Sequence, residues 1–279
     1  MEHTRLKNMA ICRRKLPQNL SVQDMIRAIN ALDIHMLSND TVELLQRMVP
    51  VAAEIKAYRE YSMAGKDINL LTEEDRLMRQ FSAVERFATK LQIMSFMASF
   101  DENIKMVKPQ VDTVGISSKS LKNSVKMKRI LELILALGNY MNSTKKGVCY
   151  GFRLQSLDSL TITKSSDKRQ HLVHYLVNLV DKKFPELKGF EAELKFIDRS
   201  AQFSLENIMT DVRELEKGMD LTRKELENRL VVTKEGQKVK CEQNQMLQDF
   251  VDKSGDMVKK LRADADAAQE NFRYNRQDR

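Results

Sequence analysis

His171 and His174 stand three positions apart, a spacing that can put two imidazoles on one face of a helix, so they are tested first for metal chemistry. A metal centre needs further ligands, and only Asp167 lies close in sequence; the pair is read as one packed and one solvated histidine, and no metal is expected. Glu73, Glu74 and Asp75 offer adjacent carboxylates, but they open a helix, where negative charge complements the macrodipole without any acid-base role. Cys12, Cys149 and Cys241 are widely separated and lack CxxC spacing, so they read as free thiols rather than as a disulfide or zinc framework. There is no GxxxxGK[ST] loop, no GxGxxG and no HExxH. The chain is not expected to be an enzyme, and no cofactor is expected.

The remaining chemistry is that of binding. A net charge of +8 calls for an acidic partner, which charge alone leaves open among nucleic acid, anionic lipid and acidic protein. Lys119, Lys122, Lys126, Lys128 and Arg129 follow one another with no acid between Ser117 and Ile130, a run read as a solvated helix face. Nucleic acid is disfavoured: the chain has no tryptophan, and its basic residues are not interleaved with aromatics. The more singular stretch is 131–164. It begins as an apolar helix through Leu133, Ile134, Leu135 and Leu137, patterned to bury most of its circumference, and is expected to break at Gly138-Asn139 and at Gly147. Gly138, Gly147 and Gly151, three of nine glycines, cluster here beside Lys145, Lys146 and Arg153, with no acid between Glu132 and Asp158.

The elements that must carry these residues are helices. Glycine and proline are scarce, at 9 and 4, and β-branched residues do not alternate in runs, so the fold class is all-α. With 42% hydrophobic and 31% charged residues, the helices are amphipathic, and no apolar run approaches the roughly 20 residues of a membrane span. Residues 4–16 form a helix or an extended lead-in that stops at Pro17. Ser21 with Asp24 and Thr72 with Asp75 are capping pairs, and helices are expected over 38–48 and 51–63. A helix over 83–100 is followed by another that Asp101 caps, with Pro109 as a kink, and residues 165–182 turn Leu172, Tyr175, Leu176 and Leu179 inward. From Ser204, apolar residues at Leu205, Ile208, Val212, Leu215, Met219 and Leu226, with Thr222, alternate three and four apart. A second periodic segment, with Leu247, Phe250, Met257, Leu261 and Ala268, is expected to fold back antiparallel as a projecting hairpin, connected through the polar residues 234–240.

Three motifs carry a resemblance. Gly138-Asn139-Tyr140-Met141-Asn142, then Tyr150-Gly151-Phe152, then Thr163-Lys164-Ser165-Ser166-Asp167 resemble, in order and spacing, the signature of the actin-assembling formin homology 2 domain. Within formins the wording is closest to the formin-like group, through Leu71-Thr72-Glu73-Glu74-Asp75-Arg76 and the residues from Tyr150 to Asp158. The likeness runs from about Arg5 to about Phe272, and it implies a single elongated helical domain core. Residues of about 5–115 would form knob and coiled-coil part, about 119–200 a post-like part, and about 204–272 a long helical hairpin.

The resemblance implies further expectations. Ile11, in Asn8-Met9-Ala10-Ile11, is the candidate actin contact on the knob, though on residue type alone it reads equally as core. Lys164 is the second candidate, with Lys168 and Arg169 as weaker neighbours. Gly138, Asn139, Tyr140, Met141 and Asn142 would form the part of the post that receives a partner's lasso, with simple packing as the plainer role of Tyr140 and Met141. Family members join head to tail, hold the barbed end of an actin filament, and work with profilin-actin and Rho-family GTPases in the cytoplasm. The chain is expected to start at the knob, without the lasso, and to stop before the last post helices, and hence to be monomeric and to bind actin without processive elongation. A coiled-coil interaction module is the alternative, which leaves the glycine-rich basic stretch unexplained.

Overall fold

The computed structural model describes residues 2–143, 147–166, 168–229, 231–232, 238–239 and 245–277, with side chains described for all of these but 231–232, 238–239 and 272–277. Lys145, Lys146, Asp167 and Cys241, and most of the expected connection at 234–240, lie outside the described residues. Twelve helices are described: α1 His3–Lys15, α2 Val22–Ala31, α3 Asn39–Arg47, α4 Ala52–Met63, α5 Glu73–Ser82, α6 Phe87–Asn123, α7 Val125–Asn142, α8 Asp158–Ile162, α9 Leu172–Lys183, α10 Ile197–Ser200, α11 Leu205–Asn228 and α12 Gln245–Gln277. Two-residue strands, β1 Val231–Val232 and β2 Lys238–Val239, pair antiparallel between α11 and α12. Among the described residues the chain is all-α apart from that ribbon and one isolated bridge. Local chemistry sets the starts: Ser21 Oγ accepts from the Asp24 N–H at 3.1 Å while Asp24 accepts from the Ser21 N–H at 3.3 Å, and Thr72 Oγ1 accepts from Asp75 N–H at 3.2 Å. Each such cap contributes about 1 kcal/mol by satisfying an otherwise orphaned donor.

The chain divides into two compact units, residues 1–105 with 213–259, and residues 106–212 with 260–279. In the first, Met25, Ile29, Leu45, Met78, Phe81 and Leu91 are among the buried side chains through which α2, α3, α5 and α6 share one core. The α6 stripe meets α11 and α12 around Phe96, whose ring packs edge-on against Phe100 and Phe250. Gly218 on α11 makes room for it: a Cβ there would lie 2.3 Å from Phe96 Cε2. Arg223 approaches Gly255, and Met219 shares a surface depression with Val258, so α12 returns antiparallel to α11 as its periodicity implied. Of the α11 positions read from the sequence, Ile208, Val212, Leu215, Met219, Thr222 and Leu226 are all buried. The hairpin is not free-standing, because α6 covers its apolar seam.

α6 corrects the expected boundary at Asp101. It runs 37 residues without a break, and Pro109 sits inside it. Val107, Val111 and Val114 continue the buried stripe beyond the exposed Asp101, and that burial outweighs the single backbone hydrogen bond that Pro109 forfeits.

In the second unit, α7 starts where Ser124 Oγ accepts from Met127 N–H at 3.0 Å and donates to Glu193 at 2.6 Å. The hydrogen bond from Ser124 holds the Glu193 carboxyl below the usual carboxylate range. Two expectations for α7 fail. The helix does not break at Gly138-Asn139 but continues to Asn142, because glycine adopts helical angles at only a modest cost. Nor is it wrapped in core: none of its residues is fully buried. α9 begins at Leu172 rather than near Ser165, since Ser165 N–H donates to the Gln170 carbonyl and Leu172 N–H to the Thr163 carbonyl instead of into a helix, and Tyr175 lies 52% exposed, off the stripe of Leu172, Leu176 and Leu179.

Candidate interaction sites

Ile11 sits in the last third of α1, which packs against α3 and α5. Met9 faces inward at 3% exposure while Ile11 is 54% exposed, so Ile11 is not a core residue. Polar clamps fix that orientation: Arg5 donates to Glu54 and to the Val49 carbonyl at 2.8 Å, and Arg13 Nε donates to Glu74 at 3.1 Å. Ile11 borders a depression of about 550 Å³ with Glu2, Arg5, Asn8, Cys12 and Arg47, an apolar side chain within a rim of mixed charge. The acids Glu73, Glu74 and Asp75 are engaged structurally, the first two with Arg13 and the third with the Tyr58 hydroxyl at 2.7 Å. Burial and the hydrogen bond to Asp75 push the Tyr58 phenol up from its ordinary value.

Lys164, Lys168 and Arg169 are brought together on one exposed loop. Its ends are pinned by an isolated antiparallel pairing of Lys164 with His171, with Leu172 N–H donating to the Thr163 carbonyl and Ser165 N–H to the Gln170 carbonyl, both at 2.9 Å. Lys168 has φ +58°, a left-handed conformation that a non-glycine residue adopts at a cost, held by its N–H donating to Ser165 O at 2.8 Å. The two histidines finish this loop: His171 is the N-cap of α9, and His174 Nδ1 accepts from the His171 N–H at 3.1 Å. Their spacing serves a helix start, and among the described residues no group of three His, Cys, Asp or Glu could hold a metal ion.

The stretch from Gly138 to Asn142 forms the last turn and a half of α7. Its side chains divide. Asn139 is hydrogen-bonded to both main-chain groups of Cys149, and Asn142 Nδ2 donates to the Gly138 carbonyl at 2.9 Å, so both amides are engaged within the chain. Tyr140 and Met141 are outward, 81% and 47% exposed. Nothing lies within 4 Å of where a Gly138 Cβ would be, so no contact inside this unit requires that glycine. Sequence reasoning missed Val148 and Tyr150 as candidate contacts, and they are 73% and 91% exposed. Tyr150 lay in one of the signature motifs, but nothing local said that its ring would be uncovered.

The basic run from Lys119 to Arg129, which spans the end of α6 and the start of α7, is partly engaged. Lys126 Nζ donates to the Lys188 carbonyl at 2.8 Å, and Arg129 pairs with Glu132 at 3.5 Å.

Comparison with known proteins places these features in a family. The Formin Homology 2 Domain family model matches residues 1–274. Formin-like protein of Drosophila melanogaster is 50% identical over 273 residues, 98% of this chain and 22% of that protein. Formin-like protein 2 of Homo sapiens is 42% identical over 272 residues, 98% of this chain and 24% of the relative. Disheveled-associated activator of morphogenesis 2 of Mus musculus is 32% identical over 225 residues, 80% of this chain and 20% of the relative. The chain thus spans between a fifth and a quarter of the length of these relatives, over a region that contains all three signature motifs. It belongs to the formin homology 2 domain family.

Proposed function

We propose that this chain is the actin-engaging part of a formin, using Ile11 in one unit and the loop of Lys164, Lys168 and Arg169 in the other. The formin homology 2 domain is an actin-assembly domain and not an enzyme, and here Glu73, Glu74 and Asp75 are held by Arg13 and Tyr58 while His174 accepts from the main chain at the start of α9. The observation that carries the reading is Ile11, a branched apolar side chain held outward by clamps on both sides of it along α1. The net charge of +8 favours encounter with an acidic filament end. On the same reading, Tyr140 and Met141 at the end of α7 receive the N-terminal lasso of a second formin chain, head to tail. On this reading the protein works with profilin-actin at the barbed end under a Rho-family GTPase, in the cytoplasm. Among the described residues no helix is long and apolar enough to cross a membrane.

Two variants test it together. Ile11→Ala is expected to weaken actin binding by about 1.5 to 3 kcal/mol, the value of an apolar anchor, while the unfolding midpoint stays nearly unchanged. Lys164→Asp reverses a charge on an exposed loop and should slow association most at low salt, with folding intact. Actin sedimentation, assembly kinetics and urea unfolding in one buffer decide it. Unchanged actin affinity in both variants would overturn the assignment.

A further inference from the structure

His174 closes the start of α9 in a way that only a neutral imidazole can. Its Nδ1 accepts from the His171 N–H at 3.1 Å, the return half of a capping box, a place where Glu or Gln usually stands. That bond fastens the end of the loop from Thr163 to His171. The loop is also held by Leu172 N–H donating to the Thr163 carbonyl, by Ser165 N–H donating to the Gln170 carbonyl, and by Ser165 Oγ accepting from the Gln170 N–H at 3.2 Å. Closure works against strain, since Lys168 takes its left-handed φ of +58° within it.

An imidazolium has no acceptor, because both ring nitrogens carry protons. A proton on His174 Nδ1 therefore removes the cap and sets two N–H groups against each other. It also puts positive charge at the N-terminus of a helix of 12 residues, where the macrodipole disfavours it. The loop itself adds Lys164, Lys168 and Arg169, all cations. On the elements packed against α9, the acids are Asp158 at the start of α8 and Glu186 in the turn after α9, and neither hydrogen-bonds His174. The ring of His171 lies 5.7 Å from that of His174, and its own Nδ1 is buried without a partner, so a proton there would find no acceptor either.

We infer that His174 is a pH-sensitive latch on the loop of Lys164, Lys168 and Arg169: neutral, it holds the loop closed, and protonated, it releases it. Closure is complete at the upper end of the range in which histidine changes charge, about pH 8 to 5, and is lost toward the lower end. The consequence for actin rests on the proposed use of this loop, whereas the latch itself does not. Binding must reorder an opened loop, so a bound partner leaves sooner even though the added charge favours encounter.

The test compares the whole chain with two variants at about pH 7.5 and about pH 5.5, where an unperturbed histidine is mostly neutral and mostly charged. His174→Gln keeps an acceptor in the capping position at either pH, and His174→Ala keeps one at neither. Amide hydrogen exchange over residues 163–172 reads the loop, and comparing chains at one pH cancels the intrinsic pH dependence of exchange. Protection in the parent is expected to match His174→Gln at the higher pH and to fall about fivefold below it at the lower, the effect of losing one cap, with His174→Ala unprotected at both. Dissociation from actin filaments should quicken wherever the loop opens. Urea unfolding midpoints close to that of the parent establish that the changes are local. Equal protection of parent and His174→Gln in acid, or a His174→Ala loop as protected as the parent at the higher pH, overturns the latch. If the loop opens and dissociation from actin does not change, the latch stands and the actin role of the loop fails.

Discussion

Glu225→Ala is expected to lower the unfolding free energy by about 3 to 5 kcal/mol, because it removes the anion from a buried cluster and leaves the cations behind. Glu225 is 1% exposed; it accepts from Arg86 Nε at 2.9 Å and from Arg229 Nε at 2.8 Å, tying the start of α6 to the end of α11. Arg86 makes that contact from a left-handed backbone at φ +52°, a conformation the ion pair helps to hold. Lys90, 6% exposed, donates to Asn30 Oδ1 at 2.8 Å, and burial together with the charge of Arg229 keeps its ammonium below the ordinary lysine value. Without Glu225, Arg86, Lys90 and Arg229 repel one another, and only the exposed Glu85 still pairs with Arg86. Burial alone would raise the Glu225 carboxyl, but the hydrogen bonds from Arg86 and Arg229 more than offset it and leave the group below the usual glutamate value. The sign follows: a depressed carboxylate stabilises the fold above its unfolded pKa of about 4.3, and that stabilisation is lost as pH falls through the folded value. Urea unfolding of parent and variant should therefore differ most at neutral pH and converge in acid. A difference below about 1 kcal/mol at pH 7 would contradict the prediction.

Two helical glycines should respond to substitution with opposite signs. Gly218→Val is expected to cost about 3 kcal/mol, the upper end for overpacking, because three Phe96 ring atoms already lie within 2.8 Å of the added Cβ. The ring has little room to withdraw, wedged edge-on between Phe100 at a centroid distance of 5.6 Å and Phe250 at 6.0 Å. In a Phe96→Ala background the same valine should be much less damaging, and that coupling identifies the ring as the cause. Gly138→Ala, with nothing within 4 Å of its Cβ, should instead stabilise α7 by about 0.5 to 1 kcal/mol through helix propensity. Thermal or urea unfolding of both variants checks the pair. A Gly218→Val variant as stable as the parent would mean that α11 and α6 do not approach as closely as Phe96 and Gly218 imply, and a destabilised Gly138→Ala would mean that the end of α7 does depend on its glycine.

The helix starts at Ser21 and Thr72 were legible in the sequence because a cap is a contact between residues three apart, and its hydrogen bonds form whatever else the chain does. The α11 stripe from Ile208 to Leu226 was legible for a related reason: a heptad pattern states which face must be buried, without naming what buries it. The covering element was not written locally. That α6 closes the seam, and therefore runs on through Asp101 and Pro109, depends on Phe96 meeting Gly218 and Phe250 more than a hundred residues away. The candidate sites divide in the same way. The family resemblance carried by the motifs singled out Ile11, Lys164 and the stretch from Gly138 to Asn142, but exposure is a tertiary property. Only packing turned Ile11 outward from α1, and only folding brought Asn139 to Cys149. A glycine in the sequence announces a permissive backbone; whether that permission is used, as at Gly218, or left open, as at Gly138, is decided by the atoms that the rest of the chain places beside it.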